Sequence, residues 1–333
     1  MHSRRDAALE GTLEAARFQR DFKVQDEVAL HGGRIDVFAA IIDRGAQLVF
    51  RKLDGLLGAY IPVPSPGILV TTERPLAIQR FTAAHELGHF YMNHRSSLDD
   101  EEILQRLSFL PPAFDSNEVA ANAFASEFLL PEWLVEYHAR RQEWSIENLR
   151  DPAKVYQLSL RVGISYEATC WILHKHHLTT KVVTERLLST ERKTIKQQLL
   201  AGHSLPNWFP NVWLLTEKDQ GSAIYGEPSD VFVVRLKEHT GSGYLWNLDQ
   251  VSAAGFTVVS DERQPSEKEG EIGGAVERIL MARSDEPAIG NIDFVESRPW
   301  DHSDVFGRFS FAYDFRGKEH GMPRAARERF AVA

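Results

Sequence analysis

The densest chemistry in the chain is written in five residues, His85-Glu86-Leu87-Gly88-His89. On a helix, positions four apart share a face, so the two imidazoles can grip one zinc ion while Glu86 turns toward the water it carries. Zinc brings the pKa of such a water down to about 7 and polarises a carbonyl, and a nearby carboxylate moves the water's proton to a leaving amine. The spacing therefore predicts metal-assisted peptide hydrolysis. Two histidines leave the metal short of a ligand, and Glu118, opening the run Glu118-Val119-Ala120-Ala121-Asn122, is the candidate third. Asn122, one turn on, is placed to orient a zinc histidine from behind. The competing reading of Glu118 is a capping box with Asp115. His94 follows His85 without the glycine of the three-histidine zinc motif and reads as a polar residue at a helix end, and Glu127 as a carboxylate on a helix face. Tyr91, His94, Tyr137 and His138 are the candidates for stabilising an oxyanion.

These groups need rigid carriers. Ile78, Phe81, Ala84, Leu87 and Phe90 recur at three-residue steps, which predicts a long buried helix under the histidines. Upstream, residues 6–22 read as a surface helix, IDVFAAIIDRGAQLVF as a helix closed by Gly45 and then a strand, and LGAYIPV and GILVT as further strands of a small sheet. SSLDDEEILQ reads as an acidic loop, Asp115 starts a helix through NEVAANAFASEFLL, and Pro131 stops it and opens the next. Asp151 and Pro152 as N-cap and N1, Gly163 as terminator and Ser165 as the next cap give a helix-turn-helix spacing over 151–178. Its second helix begins Tyr166-Glu167-Ala168-Thr169, an acid where phosphate contacts would fall, so direct nucleic-acid binding is not expected. A packing or repressor-docking role fits better. Past the polar stretch TERKTIKQQ, the segments DVFVVRL, ERILMAR, GNIDFVE and GRFSFAYDF alternate with period two, clearest in Phe309, Phe311, Tyr313 and Phe315. A boundary near 185 would divide 1–184 from an all-β domain at 185–333, which also contains an acidic loop, DERQPSEKEGE.

Composition narrows the class. The chain has 333 residues, 43% hydrophobic and 26% charged, which is the balance of an ordinary folded chain with room for two domains. Lys and Arg number 38 against 47 Asp and Glu, a formal charge of −9, which argues against a surface built to neutralise phosphates. Cys170 is the single cysteine, so no internal disulfide can form, and it reads as a small buried hydrophobe. No apolar run approaches a membrane span or a signal sequence, and a cytoplasmic location without a membrane partner is expected.

IQRFTAAHELGHF followed by NEVAANAFASEFLLP resembles the ImmA/IrrE family of zinc metallopeptidases, over roughly Ile35 to Leu178. The resemblance implies that His85, His89 and Glu118 hold Zn2+ and that Glu86 is the catalytic base. It further implies limited cleavage of a repressor or other regulatory protein that switches gene expression in stress responses, mobile elements or defence. In the β segment, DVFVVRLKEHTGSGYLW, IGGAVERILMA and ESRPWD resemble the three loop regions of chagasin-type inhibitors of cysteine peptidases, an immunoglobulin-like fold. Gly243-Tyr244-x-Trp246 and Arg298-Pro299-Trp300 match that pattern. The first loop departs from it, reading His239-Thr240-Gly241-Ser242-Gly243 in place of Asn-Pro-Thr-Thr-Gly, and Gly273-Gly274 replaces the middle Gly-x-Gly. Tyr244, Trp246, Arg298 and Trp300 are thus candidate partner contacts, with core packing the competing reading for both tryptophans. The expectation is an α+β chain: a helical zinc peptidase with a small sheet and a helix-turn-helix, followed by a chagasin-like β domain that senses or recruits. A DNA-binding regulator with a degenerate peptidase and a cysteine-peptidase inhibitor are the alternatives.

Overall fold

A computed structural model describes residues 3–30, 32–94, 97–100, 115–200, 202–265, 276–284 and 286–332. Its described residues form two compact units that interleave along the chain: 1–136, 162–177 and 318–333 make one, and 137–161 and 178–317 make the other. The expected boundary near 185 falls inside a helix, Lys181–Ser189.

The first unit is mainly helical. Helix α1 (Arg4–Asp21) starts at a capping box between Ser3 and Asp6. It is more than a surface helix, because Ala7, Gly11, Ala15, Phe18 and Gln19 are buried. After α2 (Val24–Leu30), Asp36 caps α3 (Val37–Asp43), accepting from the N–H groups of Phe38 and Ala39, and Gly45 at φ 80° takes the left-handed turn out. Strands β1 (Gln47–Arg51), β2 (Leu56–Ile61), β3 (Gly67–Thr71) and β4 (Ser97–Asp100) form one sheet in the order β1-β3-β2-β4. β1 runs parallel to β3, and β2 antiparallel to both neighbours. Ser97–Asp100, expected as acidic loop, is therefore edge strand, and the rest of that loop lies outside the described residues. Helix α4 (Leu76–Tyr91) lies on this sheet with an unbroken buried run from Gln79 to His89. Helix α5 (Ser116–Leu129) packs between α1 and α4.

In the second unit the β segment forms two four-stranded sheets packed face to face. One is ordered β5 (Val212–Thr216), β7 (Val231–Glu238), β10 (Val276–Arg283), β9 (Thr257–Pro265), and the other β6 (Ser222–Tyr225), β12 (Asp301–Asp314), β11 (Ile289–Arg298), β8 (Leu245–Asn247). Phe309, Phe311, Tyr313 and Phe315 point inward as their alternation requires, and the rings of Phe232 and Phe311 meet edge-on across the sheets at 5.5 Å. Helix α6 (Glu132–Gln142) spans the change of unit after Glu136, α7 (Pro152–Val162) lies almost wholly within the second unit's residues, and α8 (Tyr166–Lys175) belongs to the first. The polar stretch 190–198 is mostly helix: α9 (Lys181–Ser189) is followed by α10 (Arg192–Leu199), which buries Ile195 and Leu199. The Gly273-Gly274 loop and most of the second acidic loop lie outside the described residues.

Candidate metal centre

Helix α4 forms because its apolar positions recur at helical spacing and, apart from Gly88, it holds no strong helix breaker, with Pro75 just ahead of its first turn. Gly88 is there for packing: a Cβ would press to 3.2 Å on the Phe124 ring of α5. This close approach of α5 brings its first turn over the histidines. His85 Nε2 and His89 Nε2 lie 2.9 Å apart, and the Glu118 carboxylate oxygens stand 3.2 and 3.4 Å from them. Three donor atoms of His85, His89 and Glu118 fall within 4.8 Å of one another. Both histidines are buried, while the Glu118 side chain stays 26% exposed.

The electrostatics favour an anionic Glu118. Burial alone would raise its pKa, but hydrogen bonding and charge from His85 and His89 outweigh burial and hold the carboxyl well below the usual range. Asp115, which the capping-box reading would have paired with Glu118, caps α5 through the N–H of Asn117 instead. His85 Nδ1 faces Asn122 Oδ1 at 3.0 Å, so the second ring nitrogen is tied back and Nε2 is aimed inward. Two imidazole nitrogens and a carboxylate are a donor set that could hold a divalent metal ion. Glu86 is fully buried, on the β2 side of α4. A Cβ at Gly58 in β2 would lie 2.9 Å from Glu86 Oε1 and collide with Thr82, so glycine there makes room for the carboxylate.

Two residues here, Gly58 and Arg80, were not singled out as part of the site, and a third, His94, was named only as an oxyanion candidate. Gly58 gave no signal beyond its place in a strand. Arg80, fully buried, donates to the carbonyls of Ile35, Val162 and Gly163 at 2.7, 3.3 and 2.9 Å and so ties α4 to two other stretches of the first unit. A buried arginine five residues ahead of His85 on the same helix is itself a signal, since such a charge needs fixed partners. His94 Nδ1 lies 3.0 Å from His89 Nδ1, and burial, with the His89 ring beside it, pushes His94 down to about 4. Of the other oxyanion candidates, Tyr91 packs edge-on or tilted against the rings of Phe18, Phe22 and Phe124, while Tyr137 and His138 belong to the second unit.

The candidate partner contacts divide. Trp246 is in the core, 7% exposed, its indole N–H donating to Lys237 O. Trp300 is 73% exposed, and its ring lies over Gly243, where a Cβ would sit 2.8 Å from it. The Arg298 guanidinium lies 4.8 Å over the Tyr244 ring and pairs with Asp304, which also accepts from the Tyr244 hydroxyl.

Residues 43–174 match the IrrE N-terminal-like domain of the M78 peptidases, and residues 227–314 the chagasin family of peptidase inhibitors. No curated protein matches the chain. Among solved structures, the cysteine protease inhibitor EhICP2 from Entamoeba histolytica is 19% identical, over 32% of this chain and 98% of its own, with a TM-score of 0.29. Amebosin is 19% identical over 32% and 97%, with a TM-score of 0.26. PbICP-C, solved in complex with falcipain-2, is 13% identical over 32% and 88%, with a TM-score of 0.20. One chain thus carries a stretch similar to the IrrE N-terminal-like peptidase domain and, after it, a chagasin-like β domain.

Proposed function

We propose that the protein is a zinc endopeptidase that cuts a regulatory protein, such as a helix-turn-helix repressor, at a limited site, and that its β domain recruits or senses a protein partner. The observation that carries this reading is the convergence of His85 Nε2, His89 Nε2 and the Glu118 carboxylate, with Asn122 fixing the first imidazole. Zinc held by these three residues would polarise the scissile carbonyl and acidify water. Glu86 acts as general base: its carboxylate takes a proton from the attacking water and gives it to the departing amine. Enclosed by Thr82 and Gly58, that carboxylate has little freedom to turn away. Trp300, exposed and braced on Gly243, is the side chain of the β domain best suited to anchor a partner.

The test separates metal from catalysis. Wild type should hold about one zinc per chain and cut a proteome-derived peptide library, with products read by mass spectrometry. Glu86→Gln should keep the zinc and lose at least about 100-fold in cleavage, because an amide cannot accept the proton. His85→Ala should lose the zinc itself. Cleavage by Glu86→Gln at the wild-type rate would remove Glu86 from the mechanism, and full zinc occupancy in His85→Ala would remove the metal site.

A further inference from the structure

Helix α4 does not simply stop after the second histidine. Asn93 adopts φ 55°, the left-handed conformation that asparagine tolerates better than other non-glycine residues. The N–H of Asn93 bonds Phe90 O at 3.2 Å and the N–H of His94 bonds His89 O at 2.9 Å. This paired arrangement is a Schellman turn, with Asn93 at C′ and His94 at C″. Its effect is to fold the chain back so that the residue after the turn lies over the helix's last turn, where His89 sits. The His94 ring stands edge-on to the His89 ring, 5.0 Å between centroids at 71°, with the two Nδ1 atoms 3.0 Å apart.

Two Nδ1 atoms at that distance share one proton. Resting on the zinc-site reading above, the arrangement becomes specific: a neutral His89 that offers Nε2 to a metal keeps its proton on Nδ1 and must donate it. We infer that His94 is the positioning residue for His89, a neutral imidazole acceptor at Nδ1 that carries its own proton on Nε2 and fixes the tautomer and ring angle of the second ligand. It does for His89 what Asn122 Oδ1 does for His85. Both acceptors are uncharged, so the three ligands bring a single negative charge, that of Glu118, and a divalent ion would keep a net positive charge with which to polarise a carbonyl. A carboxylate in the place of His94 would cancel it.

The experiment compares zinc affinity, by competition with a chromophoric chelator, in full-length wild type, His94→Phe and His94→Gln. Phenylalanine keeps an aromatic ring on His89 but cannot accept, whereas glutamine keeps an acceptor oxygen. His94→Phe should bind zinc 10- to 100-fold more weakly on the order expected for loss of a ligand's orienting partner, and His94→Gln should recover most of that loss. Equal affinity in wild type and His94→Phe, or equal loss in both variants, overturns the assignment while leaving the metal site standing. No zinc bound by wild type overturns the metal reading itself. A second measurement needs no variant: ring nitrogen-proton correlation spectra of histidine-labelled, zinc-loaded wild type should place the His89 proton on Nδ1 and the His94 proton on Nε2. The reverse tautomers would overturn the inference.

Discussion

A thiol says as much about its surroundings as about itself. Cys170 is fully buried in α8, and burial pushes its pKa up to about 12. At pH 8 the thiolate is then roughly one molecule in 10⁴, so iodoacetamide should alkylate the native protein at least about 100-fold more slowly than the denatured chain. The folded thiol holds its proton above the unfolded value of 9.0, so its contribution to stability is whole below pH 9 and drains away as pH rises from there toward 12. Melting temperature should fall over that alkaline range, and less steeply in Cys170→Ala. Rapid native labelling, or identical slopes, would contradict the burial argument. The same scale marks what could be read from sequence. His85, Glu86 and His89 were legible because fixed spacing on one helix is enough to place them. Glu118 and Asn122 required a guess about a second helix, since nothing local says that α5 crosses α4 at Phe124. His94 was read as a polar residue at a helix end and as an oxyanion candidate, not as a partner of His89. The helix does end there, but the turn that ends it determines where the ring goes, and an Asn at C′ is a weaker mark of that turn than glycine.

Helices are positioned by what they leave out. Along α1 the buried stripe is Ala7, Gly11, Ala15 and Phe18, while Leu9 and Leu13 face outward at 57% and 58% exposure. Small residues inside and leucines outside blur the apolar periodicity, which is why this segment reads as a surface helix. Gly11 is the closest point: a Cβ there would overlap Ala120 O and come 2.7 Å from Ala120 C, both main-chain atoms of α5 that cannot swing aside. Gly11→Ala gains helix propensity of up to about 1 kcal/mol, yet the forced separation of α1 and α5 should cost more, for a net loss of about 1–2 kcal/mol. Because α5 carries Glu118 and Asn122, zinc affinity should fall with it. Urea denaturation showing Gly11→Ala as stable as wild type, with zinc affinity intact, would mean that the contact yields freely. In the β unit the legible strands were the central ones, whose alternation follows from having one face in the core. β9 was not, because as an edge strand it is exposed along nearly its whole length and has no pattern to read. β6, four residues long, offers too few alternations to be recognised.

At the scale of the whole chain, no single cut separates the two units. The first unit takes back residues 318–333: Gln79 donates to Glu319 O and accepts from Glu319 N–H, Phe50 and Gly321 exchange a pair of backbone bonds, and Arg329 pairs with Asp43. The second unit begins before the β segment. Gln157 of α7 donates to Val212 O at 2.8 Å and accepts from Leu214 N–H at 2.9 Å, satisfying the free edge of β5 much as another strand would. Next to it Arg161, 8% exposed, pairs at 2.9 Å with Asp219, which is 2% exposed, and donates to Leu214 O. A fragment of residues 185–333 keeps every strand of the two packed sheets yet exposes the β5 edge and removes a guanidinium from a buried carboxylate, a loss worth about 3–5 kcal/mol where the partner charge stays buried. A fragment of residues 137–333 keeps both contacts. The shorter fragment should therefore melt at least about 10 °C lower, or aggregate through its open edge, while the longer one unfolds cooperatively. Matching melts for the two fragments would show that α7 only rests on the sandwich, and that the β domain ends where its strands do.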